Sequence, residues 1–150
     1  MLADDPLGAT RERVSEPVDS RYVEAFRSID GDPNQELTVA LSEGFPVGML
    51  QLTFIPYLTH TGSWRCQVEG VRIARGVRGL GLGSVLLRWA IDRAKARGAR
   101  LVQLTSDKSR PDALRFYGSL GFKATHEGFK LRLETPPIDS GTATEGSAEP

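Results

Sequence analysis

The chain has 150 residues, 39% hydrophobic and 25% charged, an ordinary globular mixture sufficient for one domain that buries about two-thirds of the surface its unfolded chain exposes. Its 19 basic and 19 acidic residues cancel, which argues against a general binder of nucleic acid or other polyanions. The single cysteine, Cys66, rules out an internal disulfide, and no apolar run is long enough for a membrane-spanning helix.

The chain opens Met1-Leu2-Ala3-Asp4-Asp5, acidic where the first part of a secretory signal is basic, so a cytoplasmic protein is the default expectation. Met1 to Pro17 shows no clear period. Ser20 reads as the cap of a short amphipathic helix with Tyr22, Val23, Phe26 and Ile29 on one face, ending before Gly31-Asp32-Pro33. Residues 37–41 read as a strand, 42–46 as a turn and 47–55 as the antiparallel partner, broken by Pro56. A loop with Thr59-His60-Thr61-Gly62-Ser63 then leads to a third strand over 64–73.

That strand delivers a basic, glycine-rich turn, Arg75-Gly76-Val77-Arg78-Gly79-Leu80-Gly81-Leu82-Gly83-Ser84. Gly79, Gly81 and Gly83 leave backbone N–H groups uncovered at the start of a helix, whose first amides have no internal partner and whose dipole is positive there. The turn therefore suits a phosphate or pyrophosphate. A Walker loop is excluded because no lysine precedes Ser84. The dinucleotide fingerprint G-x-G-x-x-G fails because its third glycine would fall on Ser84, and no acid stands about 20 residues on.

The following helix, over 84–97, puts Leu86, Ala90 and Ala94 on one stripe with Leu87 and Ile91 beside it, and Gly98 is the expected left-handed terminator. Residues 101–105 form a strand, parallel to the third because a strand–helix–strand unit of this length is a right-handed crossover. Ser109-Arg110-Pro111-Asp112 looks like a cap followed by a proline in the first turn of a helix that Gly121 ends. Residues 122–124 and 129–133 are expected to close the sheet as a hairpin over Thr125-His126-Glu127-Gly128. Residues 1–135 then make one domain, and 136–150, almost without apolar residues, read as a disordered tail.

Charge is unevenly placed. Residues 1–36 carry nine acids against four bases, whereas residues 65–100 carry nine bases against Glu69 and Asp92 alone. Arg93, Lys95 and Arg97 suit a solvated face that complements the helix C-terminus. Arg75 and Arg78 suit the phosphate.

Arg78-Gly79-Leu80-Gly81-Leu82-Gly83 resembles the acyl-CoA signature Arg/Gln-x-x-Gly-x-Gly/Ala of the GNAT superfamily of N-acetyltransferases. Asp112-Ala113-Leu114-Arg115-Phe116-Tyr117-Gly118-Ser119-Leu120-Gly121-Phe122 is similar to the family's A-x-x-F-Y-x-x-x-G-F element. The likeness covers about residues 20–133, most specifically 68–122. It implies an α/β (α+β) fold: a mixed sheet with antiparallel N-terminal strands, a splayed parallel pair at the cofactor site and helices on both faces. The family usually begins with a strand before its first helix, and none is legible before Ser20. Either that edge strand is absent, or the start lies downstream of the true one, or the early residues pair in a way the sequence does not display.

The resemblance further implies acetyl-CoA as acyl donor, with pantetheine against the backbone of Val71 and Ile73 and pyrophosphate held by Arg78, Gly79, Gly81, Leu82, Gly83 and Ser84. The family commonly has an asparagine where this chain has Arg110, so that contact is lost or becomes ionic. Tyr117 matches the family's general acid, the alternative being a core aromatic at helical spacing with Ala113 and Leu120. Glu69, the one acid on the cofactor strand, is the candidate base; its plainer reading is a surface acid pairing Arg65 or Arg72.

The expected function is direct transfer of an acetyl or other acyl group to the primary amine of a small molecule or peptide, without metal, nucleic acid or membrane. A homodimer is expected because an incomplete sheet edge needs cover. The alternative is a non-catalytic acyl-CoA-binding regulatory or interaction module. His60 and His126 have no spacing that suits a metal. His126 lies near where related enzymes admit acceptors, though a polar turn residue is the simpler reading, and Cys66 reads as a core thiol.

Overall fold

The computed structural model describes residues 1–4 and 6–133. A one-turn helix α1 (Pro6–Ala9) and helix α2 (Ser20–Asp30) precede the antiparallel strands β1 (Gln35–Ser42) and β2 (Phe45–Pro56). A single turn α3 (Thr59–Gly62) leads to β3 (Trp64–Ile73), and helix α4 (Leu82–Ala96) then crosses to β4 (Ala99–Leu104), followed by α5 (Pro111–Ser119). The sheet order is β1-β2-β3-β4, with β4 parallel to β3. This is the mixed α/β architecture the sequence implies, and among the described residues no strand precedes α2.

Alternation on β2 builds the core. Gly48, Leu50, Leu52 and Phe54 are buried on one face, where Cys66 and Val68 of β3 join them. Helix α4 lays Leu86, Leu87, Ala90 and Ala94 on this face. Each fully buried leucine contributes about 1.5–3 kcal/mol relative to exposure. Gly48 is required by close approach, since a Cβ there would lie 3.0 Å from Ile73 Cδ1 and 3.2 Å from the Arg72 carbonyl oxygen.

The opposite face carries a polar row among apolar side chains such as Leu37, Met49 and Ile55. Gln35, Thr53, Gln67 and Gln103 stand in one register row across all four strands. Gln51 Nε2 donates to Gln35 Oε1 at 2.6 Å, and Gln103 Nε2 donates to Gln67 Oε1 at 2.6 Å.

Several sequence expectations need correction. Helix α2 is capped by Asp19 rather than Ser20: the Arg21 amide donates to Asp19 Oδ1 at 3.1 Å, and the Arg21 guanidinium closes on the same carboxylate. Arg110, not Ser109, is the N-cap of α5; Ser109 instead donates from its amide and hydroxyl to Asp107 Oδ1 at 3.0 and 2.7 Å, a tight turn that competes with capping. Arg93 and Arg97 do more than line the solvated end of α4: both reach Glu36 of β1. Arg93 Nε donates to Glu36 Oε2 at 2.8 Å, Arg97 donates to Glu36 Oε1 at 2.8 Å, and the Arg97 guanidinium sits 4.2 Å over the Phe54 ring.

The closing hairpin is absent: residues 122–133 contain no strand, and Phe129, Leu131 and Leu133 are exposed. Their alternation suits a strand, but the connection lacks the Asn-Gly or Asp-Gly signal, and a two-stranded hairpin without a further partner is marginal in water. The expected disordered tail, 136–150, lies outside the described residues.

Candidate active site

Strands β3 and β4 pair only from Trp64 and Ala99 to Val68 and Leu104. Beyond that point β3 runs on through Glu69–Ile73 with no strand paired on that side among the described residues, and this unpaired side of β3 is termed the slot. A bulge shapes it. The β2–β3 register shifts between Met49 and Gln51, opposite Gly70, whose φ of 59° is a left-handed conformation that glycine adopts without steric cost. Along the slot, Arg72 donates to the Val71 carbonyl at 3.0 Å and Arg78 Nε to the Ile73 carbonyl at 2.9 Å.

The glycine turn stands at the slot's mouth. Gly79 and Gly81 both have φ of 81°, and Gly81 is the N-cap of α4 with no side-chain cap. The amides of Ser84 and Val85 donate to the Gly81 carbonyl at 3.0 and 3.2 Å, whereas those of Leu82 and Gly83 open the helix without an intrahelical acceptor. A Cβ at Gly79 or Gly81 would meet nothing within 4 Å; one at Gly83 would lie 3.3 Å from the Phe116 ring. The first two glycines thus keep backbone open, while the third admits α5 against α4, a distinction that spacing alone does not reveal.

An acid already lies beside the arginines of this turn. Arg75 donates to the Asp4 carbonyl at 3.4 Å, and Arg78 lies 3.6 Å from Asp4 Oδ2. The acid excess of residues 1–36 was the available signal, but it did not single out Asp4.

Tyr117 is half-buried on α5, with ring centroids 5.2 Å from Phe116 and 6.0 Å from Phe122. Burial pushes its phenol above the usual value, and the Arg110 and Arg72 guanidiniums pull it part of the way back. Among the described residues the Tyr117 hydroxyl has no protein hydrogen-bond partner. Arg110, at the start of α5, faces the same phenol, so the cation that replaces the family's asparagine is present at this rim. Glu69 is exposed at the last β3 position before the bulge, and no described base pairs with it, against the expectation of a partner in Arg65 or Arg72.

A family profile described as Acetyltransferase (GNAT) family matches residues 5–122. The chain belongs to this family. It is 32% identical over 146 residues to the aminoalkylphosphonate N-acetyltransferase of Salmonella typhimurium, covering 85% of this chain and 93% of that one. A solved structure described as a transcriptional regulator from Bacillus halodurans is 59% identical, with a TM-score of 0.86 and 89% of each chain covered. A putative acetyltransferase from Agrobacterium tumefaciens is 25% identical, with a TM-score of 0.77, covering 88% of this chain and 90% of that one. This GNAT chain thus shares its fold with acetyltransferases over nearly its whole described length.

The remaining polar candidates stand apart from the slot. Cys66 is fully buried, and burial pushes its thiol up to about 11. His60 lies in the α3 turn and His126 in the exposed segment after α5; among the described residues no group of three or more His, Cys, Asp or Glu is arranged to hold a metal ion. No helix among the described residues is long and apolar enough to cross a membrane.

Proposed function

We propose that this GNAT protein transfers the acetyl group of acetyl-CoA directly to the primary amine of a small acceptor. The observation that carries the reading is the parting of β3 and β4 after Val68 with the uncapped, basic glycine turn at its mouth. Pantetheine lies along Val71 and Ile73, replacing the guanidiniums now on their carbonyls. The pyrophosphate lies against the turn from Gly79 to Ser84, taking its free amides together with Arg78, and Arg110 adds a cation at the far rim.

Alkyl amines with pKa near ~10.4 must lose a proton before attack. Glu69, exposed and unpaired beside the bulge, accepts it directly or through water. The C–N bond forms, the C–S bond breaks, and Tyr117 gives its proton to the departing sulfur. For an ordinary phenol near ~10 and a thiolate whose acid is near ~8.5 the transfer is uphill by about 2 kcal/mol, and burial of Tyr117 steepens it, so the proton moves as the C–S bond breaks and charge forms on sulfur.

The Salmonella relative's name supports an acceptor that joins an amine to an anionic group. We place the protein in the cytoplasm as a homodimer. The description of the Bacillus halodurans relative favours a second reading, an acyl-CoA-binding module without turnover. Purified protein incubated with acetyl-CoA and a panel of amines, aminoalkylphosphonates included, separates the two: acceptor-dependent thiol release with an acetylated product of matching mass is expected. Retained CoA binding without turnover on any amine leaves the second reading.

A further inference from the structure

At the other end of the sheet from the glycine turn, a cavity of about 380 Å³ is lined by Tyr57, His60, Thr61, Ser63, Arg100 and Leu101. The turn that walls it is closed by the Tyr57 amide donating to the Ser63 carbonyl at 3.1 Å. His60, Thr61 and Gly62 take left-handed φ values of 54°, 62° and 65° in succession. The His60 ring meets Tyr57 edge-on at 5.3 Å, and the Arg65 guanidinium lies 5.2 Å from the same Tyr57 ring.

Two buried polar atoms, one in the cavity lining and one beside it behind the Tyr57 ring, have no hydrogen-bond partner. Ser63 is 7% exposed and its Oγ is unsatisfied, as is Arg65 Nε. Buried hydroxyl and guanidinium groups are rarely left so, and an unseen ion or ligand is one of the ordinary reasons. The surrounding charge selects its sign: no acid lines the cavity, and among the described residues neither Arg65 nor Arg100 has a carboxylate within ion-pair distance. Guanidiniums, hydroxyls and an imidazole gathered without acids suit the oxygens of an oxyanion.

We infer that Ser63, Arg65 and Arg100, with Tyr57 and His60 as walls, form a binding site for a phosphate, phosphonate or carboxylate group, separate from the glycine turn. The oxyanion has two possible sources. Arg65, Gln67 and Glu69 alternate onto one face of β3, so Glu69 lies four residues, about 13 Å, from Arg65. An elongated acceptor with its amine at Glu69 would set a distal anionic group in this cavity along the Gln67–Gln103 row. A small free anion would occupy it alone.

Trp64, between Ser63 and Arg65, is a built-in reporter. In a Trp89→Phe background, titration with inorganic phosphate is expected to change its fluorescence saturably. Arg65→Met keeps the stem against Tyr57 and should weaken binding at least tenfold, whereas Arg78→Met in the glycine turn should leave this response unchanged. Should Arg65→Met fail to fold, Ser63→Ala decides: weaker phosphate binding supports the site, and unchanged binding in a folded variant overturns it. No saturable response in the parent also overturns it. ω-Aminoalkylphosphonates of increasing length assign the source, because affinity that rises with length and loses that rise in Glu69→Gln marks the acceptor's far end, and affinity independent of length marks a free anion.

Discussion

Tyr117 carries a proton that no other described side chain takes, inside an environment that keeps it neutral at physiological pH. Tyr117→Phe retains the ring and its contacts with Phe116 and Phe122 but removes that proton. If the phenol protonates the leaving thiolate, kcat should fall by roughly 10²-fold while acetyl-CoA affinity barely moves, because the lost interaction belongs to the transition state. Wild-type turnover with chemistry rate-limiting would return Tyr117 to a packing role. Gly81 poses a different test. Its φ of 81° makes any side chain strained, so Gly81→Ala should cost about 1–2 kcal/mol in stability. The Cβ would also project into space empty of protein, where the pyrophosphate is expected, so CoA affinity measured by calorimetry should drop at least tenfold, or more than ~1.4 kcal/mol. Unchanged affinity in the folded variant would remove the turn from the site. Cys66 should stay silent in such assays: buried, with a thiol pushed up to about 11, it presents almost no thiolate at pH 8, and native protein should react with a thiol reagent only as fast as it opens.

At the scale of elements, the weld between β1 and α4 is ionic. Glu36 accepts from Arg93 and Arg97, and the Arg93 hydrogen bonds, ahead of those from Arg97, hold its carboxyl below the usual carboxylate range against the opposing effect of burial. A depressed folded-state pKa contributes stability that is fully present above the unfolded value near ~4.3 and is lost as pH falls through the folded value. Both arginines keep solvent contact, so Glu36→Gln should cost only about 1–2 kcal/mol at pH 7 by urea unfolding. That cost should shrink below pH 4; an equal cost at pH 7 and pH 3 would show packing, not charge, to be its source. Such long-range pairing is what the sequence hides. The strands and α4 were legible because β2 alternates, α4 carries an apolar stripe and Gly98 ends it at φ 76°. Asp19 displaced Ser20 as a cap because a charged acceptor adjacent in sequence competes for the same amides, and nothing local shows that Arg93 and Arg97 reach 57 and 61 residues back to Glu36.

For the molecule as a whole, the phosphate-type glycine turn was legible because its parts lie within one strand–turn–helix unit, and the slot beside it was expected only through the family resemblance, whereas Asp4 at the glycine turn and the cavity at Ser63 arise from chain packing that spacing does not encode. The sheet's outer edge belongs to the same class of long-range feature. Among the described residues strand β1 pairs only with β2, and its other side presents eight residues of backbone among the exposed side chains of Val39, Leu41 and nearby Phe45. No lysine or proline guards it, and its one charge, Glu36, is held by α4. Such an edge invites another strand. A two-fold axis at Val39 would set Val39 opposite its own copy, Leu37 opposite Leu41 and Glu36 opposite Ser42, so antiparallel pairing brings no like charges together and joins two four-stranded sheets into one. A homodimer in sedimentation at tens of micromolar is therefore expected. Val39→Lys places a charge on the edge without touching the α4 face of the sheet, and should shift the protein to monomer with its unfolding midpoint at dilute concentration unchanged. A wild type that sediments only as monomer, or a dimer indifferent to Val39→Lys, would mean that β1 is not the surface through which copies meet.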